Sequence, residues 1–333
     1  MYWCRSGEGF LSFDICATAK YRSDMSEASS INNLSSKCAI LIPTRNRPER
    51  LRETLSRLRE EGLGNLPLWV YDDCSDDPQA VKSMIEAGWA GGQVVRGEMR
   101  VGQAQGRNVL LRACQTDFAI MLDDDQYFLE TGNLNEHILS HADHSERSIV
   151  QFQSIIKGTG EVAIPKGVGP QPVSSFMGGS ILAHVPSILK VGGYRDFFVY
   201  GSEEPDLVMR LWAQGFQVWY DPSIVVEHNQ SYSAEERRDL REYDYLYARN
   251  ILLLHTMNMP LWVGLPVGIA RSARRLFYRR RGLGNYAAKT MGLLSGICTT
   301  FSKWSERTPL PMQKLQSFWR FSRAWNETRS RNF

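Results

Sequence analysis

The run Leu122-Asp123-Asp124-Asp125 sets three carboxylates in a row at the end of an apolar stretch, FAIML (118–122). Three like charges at a strand end repel one another unless a cation neutralises them. Hard oxygen ligands suit Mg²⁺ or Mn²⁺, which bridge carboxylates to phosphates. Alternate residues of an extended segment face one side, so Asp123 and Asp125 are expected to share a ligand. A second acidic pair, Asp72-Asp73, follows the apolar run LWVY (68–71). A carboxylate there can accept hydrogen bonds from a base or a ribose. Arg107-Asn108 opens a helix after Gly102, and a cation beside free N–H groups favours anions. Glu203 and Glu204 stand at a helix start in YGSEEPDLVMRL (200–211). The helix pole favours negative charge there, and pairing two acids raises one pKa toward general-base work. His228 closes the run VVEH and can complete a metal or diphosphate site. Each feature also has a plainer reading: a solvated acidic turn, a surface arginine, helix-terminal acids, a structural histidine. No Walker loop and no G-x-G-x-x-G follows the first apolar run, which counts against a P-loop kinase and a nicotinamide dehydrogenase.

These residues need elements to hold them, and the pattern supplies an alternation of strands and helices. Residues 38–43, 68–71, 93–95 and 118–122 read as strands. Asn46, with Glu49 three residues on, reads as a capping box for a helix carrying Leu51, Leu55 and Leu58. Residues 79–88 and the stretch from Gly102 to Cys114 read as further helices. Beyond them, 149–152 and an element from 177 to 182 read as regular structure, 157–172 as a Gly/Pro-rich loop, and 203–214 as a helix stopped by Gly215. Residues 216–220 and 224–227 read as two short strands bracketing Asp221-Pro222. Strands alternating with helices predict an α/β fold with an open sheet and a site at its carboxyl edge.

The chain has 333 residues, 43% of them hydrophobic and 23% charged, enough for a large core and too apolar for wholesale disorder. Net charge is +3, but residues 1–236 carry ten more acids than bases, and 237–333 carry 18 Lys or Arg against 5 acids. Six cysteines with no C-x-x-C pair argue against a thiolate zinc site and for a reducing, cytoplasmic setting. Residues 1–37 read as a flexible lead-in, 38–236 as the catalytic domain and 237–333 as a basic, mostly helical extension.

Taken in order, AILIPTRNRPERL, VYDDCSDD, GQAQGRN, MLDDD and FMGGSILAHVPSILKVGGYRDFFVYGSEEPDLVMRLWAQGFQVWYDPSIVVEH resemble a bacterial family 2 glycosyltransferase with the GT-A fold. That resemblance implies a Rossmann-like mixed sheet with flanking helices. It also implies inverting transfer of a sugar from a nucleoside diphosphate sugar, UDP- or dTDP-linked, to a hydroxyl of a glycan or lipid-linked acceptor in surface polysaccharide synthesis. Pro43, Thr44, Arg45, Asp72 and Arg107 would line the nucleotide pocket, with Asp124 beside them. Asp123 would face the ribose, and Asp125, with Asp123 and His228, the metal. Gly178 and Gly179 would admit the donor sugar. Glu204 falls where the family usually has the aspartate of a Glu-Asp pair, so the base is Glu204 or its neighbour Glu203.

The extension contains RSARRLFYRRR (271–281), six arginines interleaved with apolar and aromatic residues, after an apolar run too short to span a bilayer. Such a pattern predicts peripheral attachment to an anionic membrane at the inner face of the cell, with a helical appendage packed on the catalytic domain as the alternative. The acidic body speaks against a nucleic-acid partner. Two rival functions remain open: a sugar nucleotidyltransferase, whose usual Gly-rich loop is replaced here by PTRNRP, and a non-catalytic binding protein on the same fold.

Overall fold

Residues Cys38–Thr44 form β1 with every side chain buried, as expected of a strand covered on both faces. The computed structural model describes residues 34–331 apart from 79–80, 82–84, 86–87, 90–91, 131–133, 143, 145, 161–167, 230–239 and 275–282. The further strands are β2 (Leu68–Asp72), β3 (Gln93–Arg96), β4 (Phe118–Met121), β5 (Gln126–Glu130), β6 (Arg147–Ile156), β7 (Gln171–Val173), β8 (Ile181–His184) and β9 (Gln217–His228). They make one sheet in the order β3-β2-β1-β4-β8-β6-β9-β5, with β7 pairing β9. Pairings among β1, β2, β3 and β4 are parallel, β8 runs antiparallel to β4 and β6, and β6 runs parallel to β9. The sheet is therefore mixed, as anticipated. Successive residues alternate between two cores: Leu41, Met121 and Ile181 face one, and Ile40, Ile42, Ile120 and Leu182 the other.

The helices around the sheet are α1 (Pro48–Glu60), α2 (Gln103–Ala113), α3 (Leu134–Ala142), α4 (Val185–Lys190) and α5 (Glu203–Ala213). Helix α1 buries Leu51, Thr54, Leu55 and Leu58, the stripe its spacing predicts. Its start differs from the expected capping box. Arg47 stands at the N-cap without a side-chain cap bond, and Pro48 opens the helix, where a missing N–H costs nothing. Asn46 has φ 52°, and its amide group is committed to Asp76, donating to Oδ2 at 2.9 Å and accepting from the backbone N–H at 2.8 Å. The expected pair of strands around Asp221-Pro222 is instead the single strand β9, whose register against β6 slips at Phe152/Gln153. Proline cannot donate to the ladder, so the irregularity absorbs it without ending the strand. The helix expected over 79–88 falls mostly outside the described residues.

From 240 onward the described elements are helices, chiefly α6 (Leu240–Asn258), α7 (Leu261–Arg274), α8 (Leu283–Ser302) and α9 (Met312–Arg331). Trp212 of α5 stacks on Phe321 of α9, with ring centroids 5.1 Å apart. A buried charge cluster fastens α6 to α5. Asp206 accepts from Arg195 (2.7 Å), Arg210 (2.7 Å) and Asn258 (2.7 Å), and Arg195 also donates to the Glu306 carbonyl at 2.6 Å. Deleting the central carboxylate strands two buried guanidinium groups. Asp206→Ala is therefore expected to lower unfolding free energy by about 3–5 kcal/mol in chemical denaturation. A loss under about 1 kcal/mol would show that the cluster is dispensable. No helix among the described residues is long and apolar enough to cross a membrane.

Candidate active site

The acidic triplet follows β4 and forms a turn rather than an extended segment. The turn sends its three carboxylates to different places. Asp124 is fully buried, accepting from Thr44 Oγ1 at 2.6 Å and pairing with Arg47 at 2.8 Å. Thr54 of α1 donates to the Asp124 carbonyl at 2.9 Å, so the middle residue anchors the turn to α1 and β1. Asp123 reaches the surface of a cleft and accepts from Arg107 at 2.8 Å. Asp125 lies just beneath, with Arg47 3.1 Å and Arg50 3.5 Å from Oδ2 and His228 Nε2 3.1 Å from Oδ1. Burial acts to raise the Asp125 carboxyl, but His228, Arg47 and Arg50 outweigh it and hold the group below the usual carboxylate range. The residue pair expected on one face of a strand is thus brought together by a turn, with β5 and β9 carrying His228 alongside through the Gln126–His228 pairing.

Asp123, Asp125 and His228 each present one ligand atom within 4.8 Å of the others. Two carboxylates and an imidazole make a donor set that fits a divalent cation such as Mn²⁺, with Mg²⁺ favouring the oxygens.

Glycine is required where the turn meets the next wall of the cleft. A Cβ on Gly178 would come within 2.1 Å of the Arg107 guanidinium, and one on Gly179 within 2.3 Å of Gln126 and 2.9 Å of Asp123. Both glycines thus let the backbone lie directly on the Arg107–Asp123 pair. Asn108 locks the neighbouring turn by donating to the Tyr194 carbonyl at 2.6 Å and accepting from the Tyr194 N–H at 2.8 Å.

Gly201 and Ser202, both at φ 77°, turn the chain through left-handed backbone into α5. A non-glycine residue in that region is strained, and the turn aims the start of α5 into the cleft. Glu203 is 5% exposed, with Oε2 buried and lacking a hydrogen-bond partner. Burial, then the charge of Glu204, pushes its carboxyl up to about 7. Glu204 is partly exposed; burial raises it too, while Arg107 and the backbone of Gly178 pull the other way. Two acids with raised pKa values therefore share one wall with the arginine that holds Asp123.

Around them is a cavity of about 380 Å³ lined by Arg107, Asp123, Gly178, Gly179, Glu203, Glu204 and His228. Other sequence-predicted residues lie apart from it. Thr44 and Asp124 bond one another, Pro43 sits in the β1–β2 pairing opposite Tyr71, and Arg45 has a buried Nε without a hydrogen-bond partner. Asp72 is satisfied by the Ser75 N–H at 2.8 Å and by Arg96 at 2.5 Å. The cavity also takes Gln103, Gln126, Tyr200, Tyr243, Tyr247 and Asn250, which the sequence did not single out. Tyr243, Tyr247 and Asn250 belong to α6 and arrive from far along the chain. Asn250 fastens that helix to the site by donating to the carbonyls of Tyr200 at 2.7 Å and Gly201 at 2.9 Å. Their spacing of four and three residues is the one available signal, and alone it reads as ordinary helix packing.

Comparisons with known proteins bear on the family and the fold. The profile described as Glycosyl transferase family 2 matches residues 39–199. A pre-mycofactocin glycosyltransferase of Mycobacterium tuberculosis is 28% identical over 223 residues, covering 61% of this chain and 44% of that protein. The chain thus spans under half the length of this curated relative. An uncharacterized glycosyltransferase of Haemophilus influenzae is 30% identical over 91 residues, 27% of this chain and 30% of that one. Among solved structures, S. aureus TarS 1-349 in complex with UDP-GlcNAc superposes with a TM-score of 0.57 at 14% identity, covering 84% of this chain and 82% of that chain. GalNAc-T7 with UDP, GalNAc and Mn²⁺ gives the same TM-score, 0.57, at 14% identity over 83% and 58%. At such identity these structures establish the fold.

Proposed function

Because this chain carries a family 2 glycosyl transferase domain over residues 39–199, we propose that it transfers a sugar, with inversion, from a nucleoside diphosphate sugar to a hydroxyl of a glycan or lipid-linked acceptor. The observation that carries this reading is one cavity lined both by Asp123 and His228 of the carboxylate–imidazole cluster and by two carboxyl groups of raised pKa. A divalent cation bound by Asp123, Asp125 and His228 would supply charge stabilisation to a departing diphosphate. Arg107, fixed by Asp123 and covered by Gly178, adds a second positive group on the same wall, so the leaving group meets preorganised charge as its own charge grows. Gly178 and Gly179 line the cavity and keep its backbone wall directly on the Arg107–Asp123 pair.

Glu204 is our choice for the base. It is the more exposed of the pair and lies within the electrostatic reach of Arg107 and Asp123. Ionised, it takes the proton from the acceptor hydroxyl as that oxygen attacks the anomeric carbon. The bond to the diphosphate breaks in the same displacement, which inverts the centre. Tyr200, Tyr243 and Tyr247, linked by ring contacts of 6.4 and 6.2 Å, form the wall nearest the base and suit the apolar face of an acceptor sugar. Pro43, Thr44, Arg45 and Asp72 belong to the strand edge we assign to the nucleotide, where Asp72 would exchange its Arg96 contact for the base.

A thermal-shift screen of nucleoside diphosphates tests the reading. A ligand that binds only the native state raises the melting temperature. UDP or dTDP with Mn²⁺ is expected to raise it by several degrees, and each component alone by less. No shift with any nucleoside diphosphate, with or without cation, would remove the transferase reading. Binding without release of nucleoside diphosphate from any donor would favour the non-catalytic alternative.

A further inference from the structure

Between Asp244 and Glu306 the chain contains no acidic residue over 245–305, while the same stretch carries nine Lys or Arg. Two helices of this stretch, α7 and α8, both pack on α6 through glycine seams. A Cβ on Gly264 would come within 2.3 Å of the His255 carbonyl, and one on Gly292 within 2.3 Å of the Tyr245 carbonyl. Backbone therefore lies against backbone, and the large side chains of α7 and α8 turn away from α6. On α8 they form a stripe at Met291, Leu294, Cys298 and Phe301, the i, i+3, i+7, i+10 positions of one helical face. Met291 is 63%, Leu294 58% and Phe301 60% exposed, and on α7 Trp262 is 72% and Ile269 42% exposed. Soluble surfaces scatter such residues singly; a stripe on two neighbouring helices marks a contact surface. Trp304, stacked on Phe301 at 5.9 Å, ends the stripe beside Lys303 and Arg307.

We propose that the outer face of α7 and α8 docks in the plane of an anionic lipid surface. An apolar face with aromatic side chains, on helices from a stretch whose sequence carries nine Lys or Arg and no acid over 245–305, matches an interface whose headgroups are negative and whose interior is apolar. Helix α6 joins this face to the cleft. One side of α6 holds the seams with α7 and α8, and its residues Tyr243, Tyr247 and Asn250 line the cavity. The lipid surface would therefore lie about one helix layer from the acceptor wall, where a lipid-linked acceptor emerges. This inference rests on the transferase reading for its purpose but not for its test.

The experiment is flotation of the full chain with vesicles, either of phosphatidylcholine alone or with about 30% phosphatidylglycerol. Binding is expected with the anionic vesicles only, falling as salt is raised. The triple variant Met291→Ser, Leu294→Ser, Phe301→Ser should lose at least about tenfold in partitioning. Its melting temperature and its release of nucleoside diphosphate from donor in vesicle-free solution should stay unchanged. No binding to anionic vesicles, or undiminished binding by the variant, overturns the proposal. So does a dimer that this variant converts to monomer, since a second copy would then cover the face. Absence of donor turnover with vesicle binding intact would instead strike the transferase reading and leave the docking face standing.

Discussion

Glu204→Gln is expected to reduce sugar transfer by about 10²–10⁴-fold, the range a positioned general base contributes, while the nucleotide-dependent thermal shift remains. The amide keeps the size of the side chain but cannot take a proton. Glu203→Gln should cost far less, because its carboxyl is turned into the protein beside Gly201. A base must be ionised to act, and burial raises both carboxyls. Transfer should therefore fall on acidification while the pH is still above the ordinary glutamate range, because burial raises the Glu204 carboxyl. The same raised values act on stability with the opposite sign. A carboxyl whose folded pKa lies above its unfolded pKa stabilises the fold while protonated, and that contribution is lost as pH rises through the folded value. Glu203→Gln should accordingly raise the melting temperature at pH 8 and change it little at pH 4. A variant with unaltered turnover at Glu204→Gln would place the base elsewhere.

Asp125→Asn is expected to abolish the manganese-dependent part of the nucleotide thermal shift and to cut transfer by at least about 10²-fold, since charge stabilisation at a departing diphosphate amounts to several kcal/mol. Asp125 is 4% exposed and lies between two arginines and His228. Melting of the variant without ligands must therefore be recorded alongside, to separate a lost cation from a loosened turn. A variant that folds normally and still gains stability from manganese with UDP would take Asp125 out of the cation site.

Much of this was readable in the residues. Apolar runs such as CAILIP and FAIML announced β1 and β4 because both faces of those strands are buried. The acids that follow LWVY and FAIML announced the carboxyl edge. Gly178 and Gly179 stood out through the resemblance, as room for a donor sugar; what the fold shows there is backbone packed on the Arg107–Asp123 pair. What stayed hidden was long-range. Asp123 and Asp125 meet by a turn, which alternation along a strand cannot reveal. Strand β9 runs through a proline that local rules treat as a stop, because its pairing partner β6 tolerates a slipped register. Asn46 has the composition of a cap yet bonds Asp76 across the loop after β2, a competition only the fold decides. The tyrosines of α6 sit more than forty residues beyond the cleft glycines and reach it because the Asp206 cluster and Asn250 fasten that helix in place. No periodicity in α6 distinguishes a ring that packs from one that lines a cavity.

Crystals soaked with manganese and UDP, measured at the manganese absorption edge, test the central claim most directly. A single anomalous peak beside Asp123, Asp125 and His228 is expected, with the diphosphate against it and Arg107 nearby. A diphosphate bound elsewhere in the chain, with Asp123, Asp125 and His228 touching neither metal nor phosphate, would contradict it.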